Sequence, residues 1–561
     1  MPHVVTQSCC ADGSCVHACP VNCIHPTPDE PGFATSEMLH IDPAACVDCG
    51  ACVPACPVGA IVDGNRLTPG QAPYAAINAA YYPSRPEGGR TPPATRLAPV
   101  TPAPRVRRSP VPLTVAIVGS GPAGMYAADE LLNQDGVRVN VFDRLPTPYG
   151  LVRSGVAPDH PDTKSITRLF DRISRRPGFR FYLNVDIGRH LRHAELLAHH
   201  HAVLYAVGAS GGRPTGIAGM GGRGTGFGVD FVGWVNGHPD HTGYAPDLSD
   251  PRVVIIGNGN VALDVARILT AEPEALAGTD ISEAALDALR RSEVREVVVA
   301  ARRGPAESAF TLPELIGLTS AAEVVLDPWD RALVHADLQT VTDPVGRAKL
   351  EVLAGLPGPD PARRQIRLAY RMTPARVSGD GRGVDFVRAG AADTVPIAAG
   401  LVLACTGYRG APVDGLPFDT AAAVVPNRGG RVVDPDAGRP VPGAYVAGWI
   451  KRGPSGFIGT NKSCAMQTVA ALVEDFNSGL LAAPARPPAA LDRFVRARQP
   501  ALVDAAGWRA IDAAETIRGL ACGRPRVKFT AVPDMLAAAS AASVSMRESS
   551  WAGPRPGRRR R

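Results

Sequence analysis

Val115-Ala116-Ile117-Val118-Gly119-Ser120-Gly121-Pro122-Ala123-Gly124 is the stretch from which the rest of the chain is read. Its first four residues are all apolar and mostly β-branched, which suits a strand buried on both faces of a parallel sheet. A GxGxxG turn and then a helical pattern follow. In that setting each glycine has its own task. Gly119 permits the turn, Gly121 lets a pyrophosphate approach the backbone, and Gly124 lets helix and strand pack closely. The helix N-terminus then faces the phosphates. The next strand, Val137-Arg138-Val139-Asn140-Val141-Phe142, ends at Asp143, where an acid is expected to bind ribose hydroxyls.

The same order of events recurs downstream. Val253-Val254-Ile255-Ile256 leads into Gly257-Asn258-Gly259-Asn260-Val261-Ala262, a GxGxxA turn. Here the following strand, Val297-Val298-Val299-Ala300-Ala301, ends in Arg302-Arg303 instead of an acid. Two guanidiniums suit the 2′-phosphate of NADP through bidentate, charge-assisted hydrogen bonds. A solvated basic surface pair is the plainer alternative. The loop from Pro148 to Pro161, rich in glycine and proline, suits wrapping a flavin ring. Far downstream, Gly448-Trp449 ends a strand ahead of a Gly-rich turn and a helix, and that helix N-terminus can stabilise negative charge on a reduced flavin. The fold class expected is therefore α/β, with two Rossmann-like domains, one for FAD and one for NADP.

Upstream lies a different chemistry. Nine of the twelve cysteines fall within the first 56 residues. In a large chain without a secretory signal, that density points to metal or redox work and not to disulfides. Cys46-x2-Cys49-x2-Cys52-x3-Cys56-Pro57 matches the bacterial ferredoxin run, where three thiolates hold one cluster and the fourth reaches its neighbour. Cys19-Pro20-Val21-Asn22-Cys23-Ile24 resembles Cys56-Pro57-Val58-Gly59-Ala60-Ile61, so Cys19 is expected to complete the cluster of Cys46, Cys49 and Cys52. Cys9, Cys15 and Cys56 are left for the other. Three ligands suit a [3Fe–4S] cluster, while a second [4Fe–4S] needs Cys10 or Cys23 as well. Zinc generally asks for two Cys-x2-Cys pairs. A small α+β ferredoxin domain with two clusters is thus expected ahead of the α/β part.

The boundaries follow from composition. Residues 1–67 form the iron–sulfur unit and 68–112 a Pro- and Arg-rich linker, either an extended tether or a strap over the next domain. Residues 113–215 begin the FAD domain, 216–430 form the NADP domain, 431–545 complete the FAD domain and add a helical region, and 546–561 are a basic tail. A formal net charge of +6 over 561 residues is modest and gives no reason to expect nucleic-acid binding. No 18-residue apolar run appears, so no membrane span is expected, and the cytoplasm is the default location.

From residue 113 to about residue 479 the sequence resembles the adrenodoxin reductase family of ferredoxin–NADP reductases. The matching residues are Gly119 to Gly124, Tyr149 to Pro161, Val229 to Trp234, Asn258 to Arg267, Arg302 to Pro305 with Phe310-Thr311, and Gly448 to Ile458. With its N-terminal module the chain resembles the bacterial fused ferredoxin/ferredoxin–NADP reductases. The resemblance implies FAD contacts from Ala123, Asp143, Leu151, Ile187, Trp449, Gly456, Phe457 and Ile458. It implies NADP contacts from Asn258, Gly259, Asn260, Val261, Arg302, Arg303, Glu314 and Gly456, and places His160 near the flavin on a proton or electron path. The expected activity is hydride transfer from NADPH to FAD, then single electrons to the clusters. The acceptor beyond them would be a ferredoxin, a cytochrome P450, an oxygenase or another redox protein. The family often carries an Arg-Glu pair after the equivalent of Glu314; here the chain reads Glu314-Leu315-Ile316-Gly317. Two other readings compete: an NADPH-oxidising subunit resembling the small subunit of glutamate synthase, and a non-enzymatic redox sensor.

Overall fold

The computed structural model describes residues 2–82, 97–100, 102–379, 381–389 and 394–550, with side chains as far as residue 541. Thr114–Val118, buried at every position, is an interior strand of a seven-stranded sheet. Arg138–Asp143 and Phe179–Leu183 pair in parallel on one side of it, Ala202–Tyr205 and Arg439–Val446 on the other. The chain thus changes direction beside Thr114–Val118, which opens a crevice at the carboxyl ends of the strands.

A second sheet repeats the design. Its six strands are all parallel, in the order Thr225–Phe227, Leu401–Ala404, Arg252–Ile256, Glu296–Ala300, Gln365–Ala369, Val324–Leu326. An antiparallel three-stranded sheet, Met372–Val377 to Thr394–Ala398, is appended to it. The chain has already returned to the first sheet at Asn427–Arg428, a few residues inside the stretch assigned above to the NADP domain.

The N-terminal module is built from two antiparallel strand pairs, His3–Val5 with Ile61–Asp63 and Ile24–His25 with His40–Ile41. The expected linker begins later than composition suggested. Pro73–Ala80 is a helix of this module. Its Asn78, 2% exposed, accepts from Val5 N and Ile41 N at 3.2 and 2.9 Å and donates to Val5 O at 2.9 Å. One fully satisfied amide therefore stitches both strand pairs to the helix, as a buried polar group requires. Thr91 to Thr95, on which the tether reading rested, lie outside the described residues. The later part is a strap: Val106 N donates to Gln134 Oε1 at 3.1 Å and Arg107 N to Asn477 Oδ1 at 2.8 Å. At the other end, the helix Val532–Ser550 takes in the first residues assigned to the basic tail; 551–561 lie outside the described residues.

The module is docked against both nucleotide domains. On the FAD side, Gly459 N donates to Cys10 O at 2.8 Å, and an added Cβ on Gly459 would stand 2.3 Å from Asp12 N. Lys462 Nζ donates to Ser14 Oγ at 2.8 Å and Ser165 Oγ to Pro57 O at 3.2 Å. On the NADP side, Leu312 N and Lys349 Nζ both donate to the Glu37 carboxylate, at 2.7 and 2.5 Å.

Candidate active site

A cavity of about 400 Å³ opens where the two sheets and the N-terminal module meet. That volume lies within the ordinary range for cofactor and ligand sites, roughly 300–1,000 Å³. Its floor is the first Gly-rich turn. Gly119 has φ 102°, and an added Cβ would stand 2.4 Å from Ala206 O, so only glycine fits where that strand crosses its neighbour's end. Gly121 faces open space, with nothing within 4 Å of an added Cβ, and caps the helix Pro122–Leu132, whose N-terminus points into the cavity. Gly124 does not line it. An added Cβ there would stand 2.0 Å from Gly119 O, so this residue sets the helix-to-strand packing. Asp143 lines the cavity with its carboxylate held by Ser120 N at 2.9 Å, by Ser120 Oγ, and by Leu145 N at 3.0 Å.

Leu151, Trp449, Gly456, Phe457 and Ile458 form apolar walls. The Trp449 ring lies 5.1 Å from Tyr408, and its indole N–H donates to Ser455 O at 3.1 Å. Gly448 lets that strand end pass over the first turn, since an added Cβ would meet Ala123 Cβ at 2.6 Å. This cradle of glycine approaches, a free helix N-terminus, one oriented acid and flat apolar walls fits an FAD. Ile187 is not brought to it; the residue packs against the aliphatic core beside Leu191 and Leu196.

The opposite wall is charged. His160, Asp264 and Glu314 line it, with ligand-type atoms within 4.8 Å of one another. Arg267 ties them together, pairing Asp159 at 2.6 Å and Asp264 at 2.7 Å. These two carboxylates raise the Arg267 guanidinium above its ordinary value against the pull of burial, and Arg267 holds Asp159 below the usual carboxylate range. Burial, then repulsion from Asp264, raises the Glu314 carboxyl. The second Gly-rich turn reaches the cavity only through Val261. Gly257, at φ 110°, is constrained as Gly119 is, since an added Cβ would stand 2.5 Å from Cys405 O. Asn260 Oδ1 accepts from Thr311 N at 2.9 Å. Arg302 and Arg303 stand exposed at the strand end beyond; Arg303 is 4.0 Å from Glu307. Asn258, Gly259, Asn260 and both arginines thus form an open surface continuous with the cavity mouth.

The cysteines separate into the two expected groups. Cys19, Cys46, Cys49 and Cys52 line one small hollow. Cys23 lines it too, with its Sγ 3.5 Å from Cys19 Sγ. That contact draws Cys19 down to about 5 and pushes Cys23 up. Cys9, Cys15 and Cys56 form the other group. Burial pushes Cys9 up to about 12 and Cys15 well above its ordinary value, and Cys9 and Cys56 disfavour each other's charge at close range. Thiolates gathered in so apolar a place call for a cationic centre, and iron–sulfur clusters supply one. Cys10 packs into the core of the FAD domain among Ala123, Met125 and Tyr126, and lines the cavity beside Cys9. No motif marks Gln7 or Tyr408 as cavity residues; Ala206 to Ser210, which line the cavity too, follow a buried strand, a strand-end signal that could have found them.

Comparison with known proteins follows the same division. A family of pyridine nucleotide-disulphide oxidoreductases matches residues 113–301, and a 4Fe-4S binding domain matches residues 39–62. A ferredoxin/ferredoxin–NADP reductase of Mycobacterium tuberculosis is 67% identical over 549 residues, covering 97% of this chain and 96% of that protein. Its counterpart in Mycobacterium leprae is 65% identical over 546 residues, covering 97% and 98%. The solved structure of Mycobacterium tuberculosis FprA in complex with NADPH is 40% identical, with a TM-score of 0.70, and covers 77% of this chain and 100% of its own.

Proposed function

The chain belongs to the ferredoxin/ferredoxin–NADP reductase family, and on that premise we propose how its own residues divide the work of moving electrons from NADPH to an acceptor protein. FAD, when bound, supplies the conversion of a hydride into single electrons that iron–sulfur clusters accept. Gly119, Gly121 and the helix after them receive its pyrophosphate, with Gly124 setting the packing beneath and Asp143 taking the ribose. Ala123, Leu151, Trp449, Gly456, Phe457 and Ile458 exclude water from its ring. Asn258, Gly259, Asn260 and Val261 receive the phosphates of NADP, and Arg302 and Arg303 its 2′-phosphate. Glu314 and His160 face the place where the two dinucleotides meet, and His160 offers a ring nitrogen to a proton path there.

Cys19, Cys46, Cys49 and Cys52 hold a [4Fe–4S] cluster. Cys9, Cys15 and Cys56 hold a second, of the [3Fe–4S] kind. That count rests on Cys23 standing at the other site; Cys10, whose charge Cys9 and Cys56 oppose, is the thiol that would make a fourth ligand. One observation carries the route: Cys9 is both a member of the second thiol group and a wall of the FAD cavity. Cys9 would thus hold a cluster beside the flavin, where it could take up single electrons, and the exposed Cys49 would hold one near the surface, open to a partner such as a ferredoxin, a cytochrome P450 or an oxygenase in the cytoplasm.

An anaerobic titration with NADPH, read by flavin absorbance and low-temperature EPR on the same samples, tests this reading. Bleaching of the flavin together with reduced-cluster signals is expected. Bleaching with both clusters still oxidised would overturn the internal route and turn the search to a separate acceptor.

A further inference from the structure

The ferredoxin module also reaches into the reductase cavity with a side chain that has no part in holding iron. Gln7 follows the strand His3–Val5 and lines the cavity beside Glu314. Its Nε2 donates to Glu314 Oε2 at 3.3 Å. The space it fills exists because residue 317 is glycine: a Cβ added there would stand 2.1 Å from Gln7 Nε2 and 2.5 Å from its Cδ. Gly317 lies inside the helix Leu312–Ala321, without the positive φ that would call for glycine. Glycine is a poor choice in a helix interior unless something else needs the room. Here the Gln7 amide needs it. The module holds the start of the same helix at two further points, where Leu312 N donates to Glu37 Oε2 at 2.7 Å and Tyr74 OH donates to Pro313 O at 3.0 Å.

We propose that Gln7 is a positioning residue of the reductase site, an amide supplied by the ferredoxin module that fixes the Glu314 carboxylate for the incoming pyridine dinucleotide. This rests on the reading of the cavity as the place where NADPH meets the flavin. The groups facing Glu314 come from four elements, one of them the helix Pro73–Ala80 with Tyr74, whose hydroxyl is held above its ordinary value by burial and then by Glu314. Asp264 and Arg267 lie on the helix Asn260–Thr270, His160 caps the helix Pro161–Lys164, and Gln7 comes from the module. Burial and Asp264 disfavour the charged carboxylate, while His160, Arg267 and Gln7 favour it. The module is then part of the hydride-transfer site as well as the acceptor of its electrons.

The test uses the full chain carrying FAD and its clusters, and follows anaerobic flavin bleaching by NADPH in rapid mixing. One charge-assisted hydrogen bond sets the scale. Gln7→Ala is expected to slow bleaching roughly tenfold at unchanged iron content, and to move the acid limb of its pH profile upward. In a Glu314→Gln background the same change should cost nothing more. Gly317→Ala should slow bleaching by a similar factor by displacing the amide, yet add no loss once Gln7→Ala has cleared the space. Bleaching by Gln7→Ala at the native rate, or losses that multiply in the Glu314→Gln background, would sink the inference while leaving the cavity's assignment intact. A native chain that NADPH does not bleach at all would overturn that assignment, and this inference with it.

Discussion

Gly119 and Gly257 occupy the same point in two separate sheets. Each follows the strand that leads into its domain's Gly-rich turn, at a positive φ, and a Cβ added there would stand 2.4 Å from Ala206 O or 2.5 Å from Cys405 O. What surrounds them differs. The first turn lies under Trp449, Gly456 to Ile458, and Cys9 and Cys10 of the N-terminal module. The second leads out to two exposed arginines. A phosphate grip of one design is thus fitted once for a ligand that stays and once for a ligand that exchanges. Cover, and not the turn, makes the difference. Gly119→Ala and Gly257→Ala test this most severely. Each forces a side chain into a backbone region that costs about 1–3 kcal/mol, and adds a clash of similar size. Against a total stability of about 5–15 kcal/mol either loss is a large fraction, and the first change should leave almost no bound flavin in the chain that folds. The second should keep flavin absorbance in whatever chain folds and lose its bleaching by NADPH. Native flavin content in Gly119→Ala would break the assignment of the covered turn.

The covered and the open fold are joined by a buried ion cluster. Lys164 from the FAD domain and Lys528 from the C-terminal segment pair with Asp280 of the NADP domain at 2.6 and 2.7 Å, and Lys164 also donates to Asn236 at 2.8 Å. Burial draws Lys528 down to about 7 although Asp280 opposes it. Asp280→Ala would leave two buried ammonium groups facing each other, at a loss of about 3–5 kcal/mol. The sign of its pH dependence follows from both lysines. Their folded values lie below the unfolded value of about 10.4, so the unfolded chain binds more protons between the two, and stability through them rises with pH. Without Asp280 both values fall further. The deficit in melting temperature against the native chain should therefore shrink as pH rises above about 7 and grow as pH falls below it. A deficit constant with pH would mean a lost packing contact only, and would remove the ion cluster as the joint between the domains.

Both turns, the strand-end Asp143 and the gathering of Cys19 with Cys46, Cys49 and Cys52 were legible in the sequence. Each depends on a spacing short enough to be read along the chain: a turn between a strand and a helix, or thiols two or three residues apart. The pseudo-repeat of Cys19-Pro20 and Cys56-Pro57 pointed to Cys19 as the partner of Cys46, Cys49 and Cys52, with which it lines one hollow. The docking of the module was not legible. Gly459 against Cys10, Glu37 on Leu312 and Gln7 over Gly317 join residues hundreds of positions apart, and no periodicity marks them. For the same reason the Pro-rich stretch was read as a tether from its composition, although Asn78 fastens the helix before it to the module. Ile187, carried over by resemblance alone, lies with the aliphatic core.

The smallest of these effects is also the most specific. Arg302 and Arg303 lie outside the cavity, and the one ion pair near them, Arg303 with Glu307 at 4.0 Å, is between groups 65% and 61% exposed. A surface pair of that kind contributes about 0–1 kcal/mol, so Arg302→Ala with Arg303→Ala should leave melting temperature and flavin content unchanged. If the guanidiniums bind the 2′-phosphate, each charge-assisted contact is worth about 1.5–3 kcal/mol. Their joint loss should weaken NADPH by roughly 100-fold or more while NADH, which lacks that phosphate, changes little. The quantity to measure is the ratio of kcat/KM for the two cofactors. Its collapse would mark the open turn as the place where NADP is told from NAD. Equal losses for both cofactors would make the arginines a general attraction for anions, and the choice of cofactor would then have to reside nearer the turn, at Asn258 to Val261.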